Sequence, residues 1–288
     1  MKISVVIPAR NSARTIGGTI EAILAGSRQP DELIVVDGES DDETATITAR
    51  LGARVVSNPK HHVAAARQLG VEISSSPVVA FTDSDCLPDR DWLWLIGERF
   101  EADVELAGVG GRVILPQPTT RVQAYSATVF ENIMSFPTEP VFVTSRGMRG
   151  SFPGANCAFR RNAVLSVGGF LDFFSNHAEE VDLLWRLVAH QSRLLFDPAI
   201  VVTHLGYPDT YRKMVRANFH YGIASTKLAK RHIGRQIDGR LYGILRHSIV
   251  CAVNPMCQDK WAGLRALQIS AFIVGKLYAS VRYRTINI

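Results

Sequence analysis

Asp83-Ser84-Asp85 follows directly on the apolar run Val78-Val79-Ala80-Phe81-Thr82. Two carboxylates separated by one residue at the mouth of a strand can divide work, one touching a ribose or a metal and the other a metal. Oxygen ligands suit a hard divalent cation, which neutralises the charge that builds on a departing diphosphate. A turn with two acidic residues would look the same, so the triplet acquires meaning only from its company. That company includes Glu179-Glu180 with Asp182 at the start of a helical pattern over 179–190, and His204 after Ile200-Val201-Val202-Thr203. Carboxylates in a first helical turn are favoured by the helix dipole alone, and they can also take a proton from a bound hydroxyl.

The elements that must position these groups read as an alternation of short apolar runs and amphipathic stretches. Lys2–Ile7, Leu33–Val36, Val55–Val56 and Pro77–Thr82 read as strands, and 12–25 and 61–73 as helices. Ser40 and Glu43 have capping-box spacing for a helix between the second and third strands. This rhythm predicts an α/β fold whose central sheet is mostly parallel and covered on both faces. Ligands of open α/β sheets bind beyond the carboxyl ends of the strands. The polar groups expected there are Pro8-Ala9-Arg10-Asn11, Asp37-Gly38-Glu39-Ser40 and Asp83-Ser84-Asp85. Further on, Leu106–Leu115 reads as a strand, 137–154 as a long loop, and 194–203 as one or two strands. The segments 208–232, 240–253 and 260–282 read as helices. Trp92 and Trp94 read as core packing of a helix on the sheet.

Taken in order, Val5–Asn11, Leu33–Thr44, Ala64–Gly70, Phe81–Cys86, Pro153–Arg161 and Ala178–Arg186 resemble the motifs of family-2 glycosyltransferases with the GT-A fold, over roughly residues 3–222. The resemblance implies a GT-A-like nucleotide-binding sandwich and an inverting transferase, hexosyltransferase-like, using a nucleotide diphosphate sugar and Mn2+ or Mg2+. It implies donor contacts from Pro8, Arg10, Asp37, Arg67, Asp83 and Ser84, with Asp37 reading base or ribose and Arg67 facing the diphosphate. Metal ligation falls to Asp85 and His204, and acceptor contacts to Asn156 and Asp182. Glu180 stands where the family's catalytic base, usually Asp, deprotonates the acceptor hydroxyl, with Glu179 as its substitute. The chain departs from the pattern at Gly38, where many relatives carry a second Asp. The expected domains are a catalytic one over 1–205, with a donor half to about 115 and an acceptor half over 116–205, and a helical region over 206–288.

Charge divides the chain in the same place. Residues 1–204 hold 18 Lys and Arg against 24 Asp and Glu, and residues 205–288 hold 14 against three, a net +11. That excess suggests an anionic membrane surface or a phosphate-bearing substrate, with Trp261, Phe272, Leu277 and Tyr278 as the apolar component. The run Ala266–Val281 falls short of the roughly 20 residues that span a bilayer. The expected setting is cytoplasmic, peripheral on the inner face of the membrane, with a lipid, a lipid-linked sugar or a glycan as acceptor, and with a homodimer contact as the alternative use of the C-terminal helices. No nucleic-acid partner is expected. Four cysteines without a CxxC pair point to reduced thiols rather than a zinc site or disulfide framework. Two other readings stand beside the transferase. A sugar nucleotidyltransferase needs a glycine-rich basic loop after the first strand, which Pro8–Ser12 does not provide. A catalytically silent binding subunit of a membrane-associated synthase is the other, raised by Glu180 in place of Asp.

Overall fold

The computed structural model describes residues 1–147, 152–234, 239–254 and 257–287. Seven consecutive buried residues make β1 (Ile3–Ala9), a strand covered on both faces. It is followed by α1 (Ile16–Leu24), β2 (Glu32–Asp37), α2 (Thr44–Arg50), β3 (Arg54–Ser57), α3 (Val63–Ile73) and β4 (Val78–Phe81). Next come β5 (Cys86–Pro88), α4 (Trp92–Ala102), β6 (Leu106–Ile114), α5 (Arg121–Met134), β7 (Val141–Phe142), β8 (Cys157–Arg160) and α6 (Arg161–Ser166). The chain continues with α7 (Glu179–Ala189), β9 (Arg193–His204), α8 (Tyr211–His232), α9 (Gly239–Val253) and α10 (Ala262–Arg282).

The strands form one mixed sheet in the order β3-β2-β1-β4-β8-β6-β9-β5, with β7 beside β9. β1 runs parallel to β2 and β4, β2 to β3, and β6 to β9; β8 lies antiparallel between β4 and β6. The fold is therefore GT-A-like, with the parallel half at the N-terminus. The short β5 pairs antiparallel with β9 and sets Cys86 opposite His204. This pairing delivers the histidine to the acidic triplet over a sequence separation of 119 residues from Asp85. One core joins Val6, Ile34 and Phe81 of the sheet to Leu183, Leu184 and Leu187 of α7, which fixes the acidic first turn of that helix.

By its contacts the chain divides into two units, Met1–Pro116 with Ile133–Gly206, and Gln117–Asn132 with Tyr207–Ile288. The second unit takes α5, a segment the sequence placed in the half spanning 116–205. Its reason is a small core of Val122, Tyr125, Met214 and Leu264, with Trp261 packed against it. Trp261 is thus partly buried against this core, beside the Tyr125 ring. Helices α8 and α10 meet backbone to backbone at Gly222 and Gly275, where a Cβ on Gly275 would collide with the carbonyl oxygen of Phe219.

Four local expectations are corrected. Ser40 does not cap α2, which begins at Thr44, and the amide of Thr44 is taken by Asp42 at 3.0 Å. Trp92 is buried but Trp94 is 45% exposed, because only one face of α4 meets the sheet. Cys251 and Cys257 are joined by a disulfide. The chain reverses after α9, where the Cys257 amide bonds the Asn254 carbonyl, so a spacing of six suffices. Helix α10 reaches 21 residues and is long and apolar enough, by length and composition, to cross a membrane, although a third of its apolar window is buried inside the protein. Residues 148–151 of the long loop lie outside the described residues.

The crossing of α8 and α10 yields a test. Gly275→Val should destabilise the protein by about 1–3 kcal/mol, the usual scale of overpacking a tight contact. Urea unfolding measures it, and an unchanged midpoint would mean that the helices are not in backbone contact.

Candidate active site

The loops after β1, β2 and β4 converge at the carboxyl edge of the parallel strands. Pro8 is buried inside β1, whereas Arg10 is exposed and runs beside Gly38. The Asp37 carboxylate is nearly buried and accepts the Ser40 amide at 2.9 Å and the Ser40 hydroxyl at 2.5 Å. Ser84 meets Ser12 through their hydroxyls at 2.8 Å, and its carbonyl accepts from Thr19 at 3.1 Å. His61, which lies outside every motif of the sequence, places Nδ1 2.9 Å from the Gly38 carbonyl and Nε2 3.4 Å from Glu39. Asn11, Glu39, His61 and Ala178 all carry positive φ, between 52° and 67°. Backbone held there by non-glycine residues costs roughly 1–3 kcal/mol each, and such strain gathers at functional sites.

Asp83, Asp85 and His204 come together as the triplet and β9 imply. His204 Nε2 lies 3.7 Å from an Asp85 oxygen and 3.9 Å from an Asp83 oxygen. At bonds near 2.1 Å, adjacent octahedral ligands stand about 3 Å apart and only one can lie opposite the histidine at about 4 Å, so the three groups border a cation-sized space and would have to close in to share one ion. The Cys86 thiol, with Asp83 and His204, forms a group whose donor atoms all lie within 4.8 Å of one another, a group that does not include Asp85. Burial and the neighbouring aspartates push that thiol far up, so it stays protonated and is a poor ligand for a hard ion. Burial also raises the Asp85 carboxyl, against the pull of His204. The Gly206 amide donates to His204 Nδ1 at 3.1 Å, which leaves Nε2 as the protonated nitrogen of the neutral ring. Ligation through Nε2 therefore needs the other tautomer and the loss of that bond.

Arg67 is the least expected part of the geometry. Instead of facing open space toward a diphosphate, its guanidinium is 2% exposed and bridges Glu179 at 2.6 Å and Asp83 at 2.9 Å. Burial opposes its charge, but the two carboxylates outweigh burial and hold it firmly protonated. Gly154 allows the closeness, since a Cβ there would lie 2.5 Å from the guanidinium. Burial and the adjacent Glu180 raise Glu179 to about 8, with Arg67 pulling the other way. Glu179 Oε2 is buried and finds no hydrogen-bond partner among the described residues. Glu180, half-buried one residue on, is also raised, chiefly by burial.

The two residues expected to contact the acceptor are buried and already paired within the protein. Asn156 is fully buried: its amide donates to the carbonyls of Arg112 at 2.8 Å and Ile200 at 2.9 Å, and its oxygen accepts from Trp92 Nε1 at 2.9 Å. Asp182 is fully buried against Arg186 at 2.6 Å, which in turn holds the carbonyls of Val167 and Gly169. Both sit in motifs that carry the site, and both support it from beneath.

Residues 4–168 match the family model described as Glycosyl transferase family 2. A pre-mycofactocin glycosyltransferase of Mycobacterium tuberculosis is 31% identical over 240 residues, covering 80% of this chain and 48% of that protein. A glucosyl-dolichyl phosphate glucuronosyltransferase of Haloferax volcanii is 24% identical over 177 residues, 59% of this chain and 56% of the other. The chain thus spans about half the length of the curated relatives it matches. Glucosyl-3-phosphoglycerate synthase from M. tuberculosis, solved with Mn2+, UDP and glucosyl-3-phosphoglycerate, superposes with a TM-score of 0.58 at 22% identity, covering 80% of this chain and 79% of that one. That likeness shows the shared fold.

A raised Glu179 has a consequence for stability. The unfolded chain releases this proton near 4.5 and the folded protein keeps it to about 8. Stability therefore falls as pH rises through that window, by at most about 1.4 kcal/mol per pH unit. Urea unfolding at pH 5 and pH 8 should show the loss in wild type and a smaller one in Glu179→Gln. Equal losses in the two proteins would remove Glu179 as the source.

Proposed function

The chain belongs to glycosyl transferase family 2, and from that membership we propose that it transfers a sugar from a nucleotide diphosphate donor to an acceptor hydroxyl with inversion at the anomeric carbon. The observation that carries the reading is the meeting of Asp83, Asp85 and His204 at the strand mouths, a few residues of structure away from Glu179-Glu180 through Arg67. A pocket for a metal diphosphate on one side and a carboxylate base on the other is what a single displacement requires.

In this proposal Asp37, Arg10 and the backbone around Gly38 receive the nucleoside, and Pro8 shapes the floor beneath it. Asp85 and Asp83 hold a divalent cation, Mn2+ or Mg2+, joined by His204 once its proton has moved to Nδ1. When bound, the cation neutralises charge on the leaving diphosphate. Glu180 accepts the proton of the acceptor hydroxyl as that oxygen bonds to the anomeric carbon and the bond to the diphosphate breaks. A carboxylate raised by burial is a stronger base near neutral pH, which suits this task. Arg67 does not touch the substrate in this scheme. It positions Asp83 and keeps Glu179 from competing for the hydroxyl proton. UDP-sugars are the first donors to try, because the related fold was solved with UDP and with either Mn2+ or Mg2+. The acceptor is a hydroxyl of a lipid, a lipid-linked sugar or a glycan.

Incubation with a panel of nucleotide sugars and Mn2+ should give slow donor hydrolysis that a chelator abolishes. Asp85→Asn should lower turnover by orders of magnitude, since the lost ligand is worth several kcal/mol in transition-state charge stabilisation. Glu180→Gln should keep donor binding and lose at least ~10²-fold in transfer. Activity indifferent to a chelator would contradict the metal role, and an active Glu180→Gln beside a dead Glu179→Gln would exchange the two glutamates. A protein that binds donor and never turns it over would be the silent subunit instead.

A further inference from the structure

Of the 22 large apolar side chains exposed among the described residues, 14 fall in the second unit, which supplies about a third of the chain. They are ordered. On α10, Leu267, Val274, Tyr278 and Val281 recur at seven, eleven and fourteen residues and so share one face. On α9, Tyr242, Ile249 and Val253 share a face while Ile244 and Val250 are exposed on others, and Ser248 is the one residue of its described side chains that is buried. Val281 is 81% exposed and Val253 78%, values that a helix packed into a protein core does not show. Beside Val274 an open groove of about 590 Å³ runs between α8 and α10, floored by Val215, Phe219 and Ala271 and edged by Arg212 and Arg216.

Around this apolar surface the charge is one-sided. The second unit holds 15 Lys and Arg against four Asp and Glu, a net +11. Arg212, Lys213, Arg216, Arg246, Arg282 and Arg284 are exposed.

We infer that the second unit docks on the surface of an anionic lipid bilayer, with the outward faces of α9 and α10 in the headgroup layer and the surrounding basic side chains against lipid phosphates. Apolar stripes flanked by cations are what interfacial helices present. A second copy of the chain could cover the stripes, but it would bring a second +11 against the first. A nucleic acid would meet the charge and leave the stripes in water. Spanning is disfavoured by α8, which carries six Lys and Arg and no acid and lies in backbone contact with α10 at Gly222 and Gly275. If α10 crossed the hydrocarbon, those charges would be drawn toward it.

Vesicle co-sedimentation of the full chain tests the inference, with phosphatidylcholine alone and with phosphatidylglycerol added. Binding should need phosphatidylglycerol and weaken at least about tenfold from low to high salt. Val274→Glu and Val281→Glu should each lower it by roughly tenfold, because a carboxylate then enters the embedded stripe. Thermal unfolding of both variants should match wild type, since neither residue is in a core. Absence of binding at low salt overturns the inference, as does binding that both variants leave intact. So does a lipid-free dimer, by sedimentation velocity, that Val281→Glu turns into a monomer, for the face would then belong to a second copy.

Discussion

Arg67 carries its charge into the interior because two carboxylates from distant parts of the chain, Asp83 and Glu179, arrive there with it. Removing one partner from such a buried group leaves an uncompensated charge, typically a loss of 3–5 kcal/mol. The arrangement therefore constrains three elements at once: α3, which carries the arginine, the loop after β4, and the first turn of α7. The carboxylates outnumber the cation once Glu180 is included, and burial together with this crowding raises both glutamates. Glu180, which makes no ion pair with Arg67, is the less buried of the two. A buried ion pair is weak evidence for stability, but here it ties α3, the loop after β4 and the first turn of α7 together.

Much of this site was legible in the sequence, and what was not has a common cause. Asp83-Ser84-Asp85, Asp37 and Arg10 were readable because strand ends in an open α/β sheet face the ligand whatever the rest of the chain does. His204 was assigned only through family resemblance, and the β5–β9 pairing supplies the physical reason. Arg67 was identified but aimed wrongly: its partner Glu179 lies 112 residues away, and no local pattern reports so distant a contact. Asn156 and Asp182 erred in the opposite sense. Their motifs mark the site, yet their side chains point beneath it, to Trp92 and to Arg186. The inserted antiparallel β8 and helix α5 were missed: β8 is four residues long with three of them buried, too short for a periodic signal, and α5 buries only Val122 and Tyr125.

The two units follow different rules of composition. The first buries its apolar residues around a sheet and keeps acids at the strand mouths. The second, built from α5, α8, α9 and α10, concentrates cations and leaves apolar faces uncovered. Positive charge and exposed hydrophobic stripes are costly to a unit that meets only water, and both become favourable at an anionic interface. The charge asymmetry was visible in the sequence at residue 205, whereas the stripes required knowing which faces the helices bury against each other.

The central claim is that Arg67 acts on the substrate side through Asp83, and a double-mutant cycle tests it directly. Mn2+-dependent binding of nucleoside diphosphates would be measured by calorimetry for wild type, Arg67→Met, Asp83→Asn and the double variant. If Arg67 positions Asp83, each single change weakens binding and the second adds little to the first, with a coupling of about 1 kcal/mol or more. Strictly additive losses would contradict the account, because the arginine would then act on the ligand by a route that does not pass through Asp83.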